Sequence, residues 1–264
     1  MAGVRWVCLM YHDVTPGLSV PGGAPGRFAV THEEFRRHLD QLRSEARGAH
    51  SLRHMLGEHP AGGVAVTFDD GNAGQYERGF RELADRDMSA TFFVTTRWVG
   101  TPGYVSWGQL REMRAAGMDI QSHTQSHPFM SELPAQEVRR ELRESKAELD
   151  QHLVQDTDML ALPGGDWPRS SYRGLIAEAG YRVIATSQWG VNRGLQAGND
   201  LTIVHRCTVS GVTSRSSFQK IVDGDPWLAR RRRIREGGLR TLRSALGPSR
   251  YAHLRKVFLG LVRP

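Results

Sequence analysis

Val64-Ala65-Val66-Thr67-Phe68-Asp69-Asp70-Gly71 opens as an apolar, β-branched run and ends on two adjacent carboxylates and a glycine. A short run of this kind, closed by a turn residue, predicts a buried strand, Val64–Phe68, with the two acids at its C-terminal end. Further along, Ser122-His123-Thr124-Gln125-Ser126-His127-Pro128 places two histidines four apart behind a second short strand, Met118–Ser122. Either motif alone has an ordinary reading. Asp-Gly is a turn signal, and paired histidines often decorate a surface. Their joint occurrence, in order and at strand ends, is what points to chemistry.

The same alternation extends in both directions. Strands are expected at Val4–His12, Ala90–Thr95, Met159–Leu162, Tyr181–Thr186 and Leu201–Val209. Helices are expected from Thr31, where Thr31 and Glu34 form a capping-box pattern, and at Tyr76–Arg86. Three more are expected from Ser106 to Gly117, from Pro134 to Leu153 and over Ser171–Ala179. Strand and helix in repeated alternation imply an α/β fold, a parallel sheet or barrel wrapped by helices, with functional residues at the C-terminal ends of strands. Asp69, Asp70, His123, His127, Pro163 and His12 all fall at such ends.

One Asp and two His are a usual ligand set for a catalytic divalent metal, which keeps a coordination position free for water or substrate. The second Asp is then spare, and a spare carboxylate beside an activated water is a natural general base. This reads as a metal-dependent hydrolase. The ligand type suggests zinc first, with cobalt or nickel fitting the same donor set.

Composition sets the limits. The chain has 264 residues, with 39% hydrophobic and 24% charged, values of a globular protein with room for one sizeable domain. No run of apolar residues is long enough for a transmembrane helix, and the first residues read as a strand rather than a signal peptide, so the expected location is the cytoplasm. Cys8 and Cys207 sit in apolar strand-like segments and are expected as buried free thiols. The net charge of +7 is uneven: from Arg230 to Pro264 there are eleven Lys/Arg and a single acid, Glu236. The expected organisation is a catalytic domain over 1–225 and an Arg-rich helical tail over 226–264. An Arg-rich amphipathic tail suits peripheral contact with an anionic membrane; a solvated helical pair packed on the barrel is the plainer reading. No nucleic acid is expected, because no reading motif accompanies the charge.

Over roughly residues 4–210 the chain resembles the polysaccharide deacetylases of carbohydrate esterase family 4, the NodB homology domain with a distorted (β/α) barrel. Thr67–Gly71 looks like the family's first motif, in which the first Asp is the base and the second a metal ligand. That implies Asp69 as base and Asp70, His123 and His127 as ligands, the histidines lying in what looks like the second motif. Pro163, Gly164 and Gly165 occupy the third motif, which lines the substrate groove, and a backbone N–H near Gly164 is a candidate oxyanion donor. Ala161 stands where the family usually carries an Arg that orients the base, which leaves Asp69 without an assigned partner.

Two histidines compete for the acid. Leu9-Met10-Tyr11-His12-Asp13-Val14 resembles the opening of the branch that deacetylates poly-N-acetylglucosamine, which implies a permuted barrel with His12 as acid. Ile203-Val204-His205 loosely resembles the late motif and offers His205 instead; His12 is the preferred reading. The Asp166-Trp167 pair is a candidate lining of the groove, Trp189 is either a groove tryptophan or a core or interface aromatic, and Asp13 could assist the site or cap a helix or loop. The expected reaction is removal of N-acetyl groups from an amino sugar or glycan, releasing acetate. The alternatives are another amide hydrolase on the same scaffold, or a catalytically weak carbohydrate-binding protein.

Overall fold

Val64–Phe68 is a strand with all five residues buried. The computed structural model describes residues 5–17, 28–58, 63–165, 172–193 and 201–231. The parallel strands that carry the site are β1 (Arg5–Tyr11), β5 (Val64–Phe68), β6 (Thr91–Val94), β7 (Asp119–Ser122), β8 (Met159–Ala161) and β9 (Val183–Ala185). Shorter pieces complete the set: β2 (Asp13–Thr15), β3 (Ala29–Thr31), β4 (Ala49–His50), β10 (Asn192–Arg193), β11 (Thr202–Val204) and β12 (Cys207–Thr208). The strands run β10-β1-β5-β6-β7-β8-β9-β11, with β12 also on β1 and β4 also on β5; β2 and β3 form a separate pair. Register is long where it matters: Val7 pairs with Val64 and Tyr11 with Phe68, so β1 and β5 end side by side.

The expected strand Leu201–Val209 is in fact two. β11 pairs with β9, and β12 pairs with β1. One short segment therefore touches both ends of the sheet and draws it towards a closed barrel. The polar pair His205-Arg206 interrupts the apolar alternation there, but the sequence pattern does not say that the flanking pieces pair with different strands. His205 and Arg206 sit at this break.

The helices are α1 (His32–Ser44), α2 (Leu52–Gly57), α3 (Arg81–Ala84), α4 (Trp107–Ala115), α5 (Ala135–Leu153), α6 (Tyr172–Glu178) and α7 (Arg215–Val222). Ser106 caps α4 with a full capping box: its hydroxyl takes the Gln109 N–H, and the Gln109 side chain returns to the Ser106 N–H. At α1 only half of the expected box forms. The Thr31 hydroxyl accepts from the Glu34 N–H, while the Glu34 carboxylate turns to Arg37. The expected helix Tyr76–Arg86 is a π-helical stretch, Gln75–Phe80, running into α3. Gly74 begins it against β2; a Cβ there would lie 2.2 Å from the Val14 carbonyl oxygen. This packing sets the turn beside the ends of β1 and β5.

Strand alternation divides the core. Val7, Leu9, Tyr11, Val66, Phe68 and Phe92 face outwards, into the cluster shared with Phe35 and Leu39 of α1. Cys8, Ala65, Phe93, Ala161, Ala185 and Val204 face the other way and form the barrel interior. Most of these interior residues are small, which leaves room for something larger. Cys8 and Cys207 are both buried, and burial pushes the Cys8 thiol up to about 12. No helix among the described residues is long and apolar enough to cross a membrane. The Arg-rich tail beyond residue 231 lies outside the described residues.

Candidate metal centre

Asp70, His123 and His127 come together at the C-terminal end of the sheet, with one ligand atom of each within 4.8 Å of the others. The Nε2 atoms of His123 and of His127 each lie 3.5 Å from Asp70 Oδ1. Atoms bound about 2.1 Å from one centre in tetrahedral geometry are about 3.4 Å apart. The donor set therefore fits a divalent ion. It leaves one tetrahedral position open.

The backbone makes this geometry. Asp70 has φ 81, a left-handed conformation that swings its carboxylate away from the line of β5. The turn is held by Thr95 N–H on the Asp70 carbonyl (3.3 Å) and Val105 N–H on the Gly71 carbonyl (2.9 Å). Thr124 and His127 are also left-handed, at φ 67 and 62, so the His123–His127 loop folds back on itself and both rings face Asp70. Trp98 stacks on the His127 ring at 5.1 Å.

The His123 ring is oriented from behind. Its Nδ1 lies 2.9 Å from the Ala161 carbonyl oxygen, and a proton held there leaves Nε2 free to ligate. Ala161 thus contributes to the site through its backbone. Burial lowers the His123 pKa, but Asp69 and Asp70 more than offset it and hold it above its ordinary value. Burial, with the charge of His123 beside it, brings His127 down to about 4, which keeps it a neutral ligand at neutral pH. Burial alone would raise Asp70; the His123 hydrogen bond and the charges of His12, His123 and His127 hold it far below the usual carboxylate range.

Asp69 has a partner that sequence reasoning missed. Arg206 is fully buried and grips it with both arms: Nη1 to Oδ1 at 2.6 Å and Nη2 to Oδ2 at 2.8 Å. The guanidinium also donates to Thr67 Oγ1 (3.3 Å) and, through Nε, to the Thr186 carbonyl (3.0 Å), and it lies over the Phe93 ring. It enters the barrel interior from the break between β11 and β12. Each carboxylate oxygen has a second lone pair, so the grip leaves Asp69 able to take a proton. Burial pushes the Asp69 pKa up, and the Arg206 charge, with His123, brings it below the ordinary value. The one legible signal was an Arg inside an apolar strand-like run, next to His205.

His12 ends β1 beside this cluster. Its carbonyl accepts from Asn72 Nδ2 (3.1 Å) and Gln75 Nε2 (2.6 Å), and Gln75 also donates to the Asp69 carbonyl. Its ring packs near Phe28, and its buried Nδ1 has no hydrogen-bond partner among the described residues. The His12 charge bears on Asp69, Asp70 and His127. His205 has a different setting: its backbone N–H and carbonyl are both bonded to the Asn192 side chain.

Pro163 and Gly164 form a turn directly after β8, with Gly164 at φ 59, where a Cβ would meet the Phe129 ring at 2.5 Å. Gly165 closes the same turn. Trp189 is in the core rather than a groove. Asp13 is buried at the start of β2, and its Oδ1 accepts from the Val14 N–H at 2.8 Å. Asp166 and Trp167 lie outside the described residues.

Residues 57–184 match the family model for polysaccharide deacetylase. YxkH of Bacillus subtilis (strain 168) is 26% identical over 224 residues, 81% of this chain and 75% of that protein. Among solved structures, the Streptococcus pyogenes deacetylase PplD in complex with acetate superposes with a TM-score of 0.72 at 25% identity, over 83% of this chain and 99% of that one. IcaB from Ammonifex degensii superposes with a TM-score of 0.69 at 26% identity, over 84% of this chain and 97% of that one.

Proposed function

We propose that this chain, which belongs to the polysaccharide deacetylase family, is a metal-dependent N-deacetylase that releases acetate from an N-acetylated glycan. The observation that carries the reading is the Asp70, His123 and His127 cluster set beside a buried carboxylate, Asp69, that is oriented but not a ligand. Within the family, the N-terminal Tyr11-His12-Asp13-Val14 strand favours a substrate of the N-acetylglucosamine type. Zinc is the ion that the ligand set suits first.

A divalent ion bound here supplies a Lewis acid that polarises the amide carbonyl and makes water acidic enough to deprotonate near neutral pH. Asp69 takes the proton from the attacking water as its oxygen bonds to the acetyl carbon. Arg206 makes Asp69 a weaker base but fixes its direction, and an acidified water needs only a weak, well-aimed acceptor. The amine leaves when the C–N bond breaks, and it must leave protonated. His12, which follows β1 and whose charge bears on Asp69, Asp70 and His127, is assigned as the donor. Products are acetate and the free amino sugar.

The test measures acetate release from N-acetylglucosamine oligomers with and without a chelator. Release abolished by the chelator and restored by zinc is expected. Asp70→Ala, His123→Ala and His127→Ala should each lower metal content as well as turnover. Full metal occupancy in all three variants would refute the ligand assignment, and chelator-insensitive release would refute metal dependence.

The acid assignment carries its own prediction. His12→Ala should lower kcat at least about tenfold more than His205→Ala, since removing a positioned acid typically costs about 10²–10⁴-fold. The loss should shrink on an activated acyl ester, whose leaving group needs no proton. Equal losses, or a larger one at His205, would move the acid to the late strand.

A further inference from the structure

The metal loop is a strained piece of backbone. Thr124 is β-branched and left-handed at φ 67, and three residues later His127 is left-handed again. Such a conformation persists only where its surroundings over-determine it. On one side they do so through β6 and the segment after it: His123 N–H bonds the Val94 carbonyl (2.9 Å), Thr96 N–H the Thr124 carbonyl (3.3 Å) and Arg97 N–H the Gln125 carbonyl (2.9 Å). The last two satisfy the loop's Thr124 and Gln125 carbonyls. The N–H groups at its crest still need acceptors away from water.

Glu141 supplies them. It lies on the inner face of α5, almost fully buried, an unusual place for a carboxylate. Its Oε2 accepts the Gln125 N–H at 3.0 Å and the Ser126 N–H at 2.9 Å, and its Oε1 accepts the Ser126 hydroxyl at 2.5 Å. All three donors belong to the two residues immediately before His127, and the His127 N–H is held within the loop by Thr124 Oγ1. Three converging donors call for an acceptor with two oxygens and no proton of its own. A carboxylate has that form; an amide of the same size has one oxygen and turns an NH₂ towards a donor.

We propose that Glu141 is a positioning residue for the metal, holding the strained Gln125-Ser126 crest so that His127 Nε2 stays within ligating reach of Asp70 and His123. Glu141 itself touches neither metal nor substrate. The proposal rests on the metal-site reading above.

The experiment measures zinc affinity of the purified full chain by competition with a chromophoric chelator, alongside the melting temperature of the metal-free protein. Glu141→Gln and Glu141→Ala are compared with Lys146→Met. That control removes an ammonium on the same helix that bonds Asp156 and the Thr157 carbonyl, away from the metal loop. Partners that hold a metal ligand in place typically account for about 10- to 100-fold in metal affinity. A zinc dissociation constant raised by that factor is expected in Glu141→Ala, a smaller rise in Glu141→Gln, and an unchanged one in Lys146→Met. If Glu141→Ala does not fold, the Gln variant still decides. Zinc binding within about twofold of the parent in Glu141→Gln and any folded Glu141→Ala, whatever their melting temperatures, would overturn the proposal. A Lys146→Met variant that weakens zinc equally would overturn it too, by showing that any damage to α5 has the same effect. A parent chain that takes up no zinc would overturn the metal reading together with this one; a parent that binds zinc beside unaffected variants overturns the role of Glu141 alone.

Discussion

Asp69→Asn is expected to lower turnover by about 10²–10⁴-fold with metal content retained, the usual cost of removing a general base. The substitution conserves shape, and Asn keeps one oxygen for Arg206. It removes the lone pair that takes the water's proton, and with it the negative charge that neutralises a fully buried guanidinium. Some stability should therefore be lost as well, on the order of 3–5 kcal/mol, as for other buried ion pairs broken at one partner. The two effects separate cleanly. Turnover is measured at a temperature well below the variant's melting point, beside metal analysis of the same sample. Activity within tenfold of the parent would remove Asp69 from the base role.

Arg206→Met should also cost stability, on the order of 3–5 kcal/mol, because it leaves a buried carboxylate uncompensated. Turnover should fall too, since nothing else among the described contacts orients both oxygens of Asp69. A double variant decides whether the pair is the cause. Adding Asp69→Asn to Arg206→Met removes the stranded charge, so the double variant should be more stable than Arg206→Met alone. Chemical denaturation of the parent, both singles and the double measures this coupling. Additive losses would mean that Arg206 stabilises the barrel through Thr186 and Phe93 rather than through Asp69. The pH dependence has a definite sign. The Asp69 pKa is depressed in the folded state, so the pair contributes stability above the ordinary carboxylate pKa, and that contribution fades as pH falls through the depressed value. The deficit of Arg206→Met relative to the parent should therefore narrow in acid.

The alternation of short apolar strands with amphipathic helices was legible along the chain because burial on a sheet or helix imposes a period that side chains must follow. Val64–Phe68 was read residue for residue, and Ser106 was read correctly as the cap of its helix. The clustering of the candidate ligands was legible for a related reason. Asp70, His123 and His127 lie within a few residues of strand ends, and in a parallel sheet those ends converge on one face whatever the loops do.

What holds these groups in place was not legible, because it depends on contacts between residues remote in sequence. Arg206 lies 137 positions from Asp69, and it reaches the interior because the chain breaks between β11 and β12. That break depends on register against two different neighbours, and local patterning does not say that the flanking pieces pair with different strands. Ala161 looked like the loss of a partner for the base. In the fold it is a small interior residue whose carbonyl orients His123, while the cation for Asp69 comes from another strand. Glu141 read as one more charge on a long polar helix, and only its burial against Gln125 and Ser126 distinguishes it. The sequence by itself determined which groups can do the chemistry, since donor type and strand-end position are local properties. Only the tertiary structure decided how those groups are aimed, since orientation is set by buried charges and hydrogen bonds that exist once the barrel has closed.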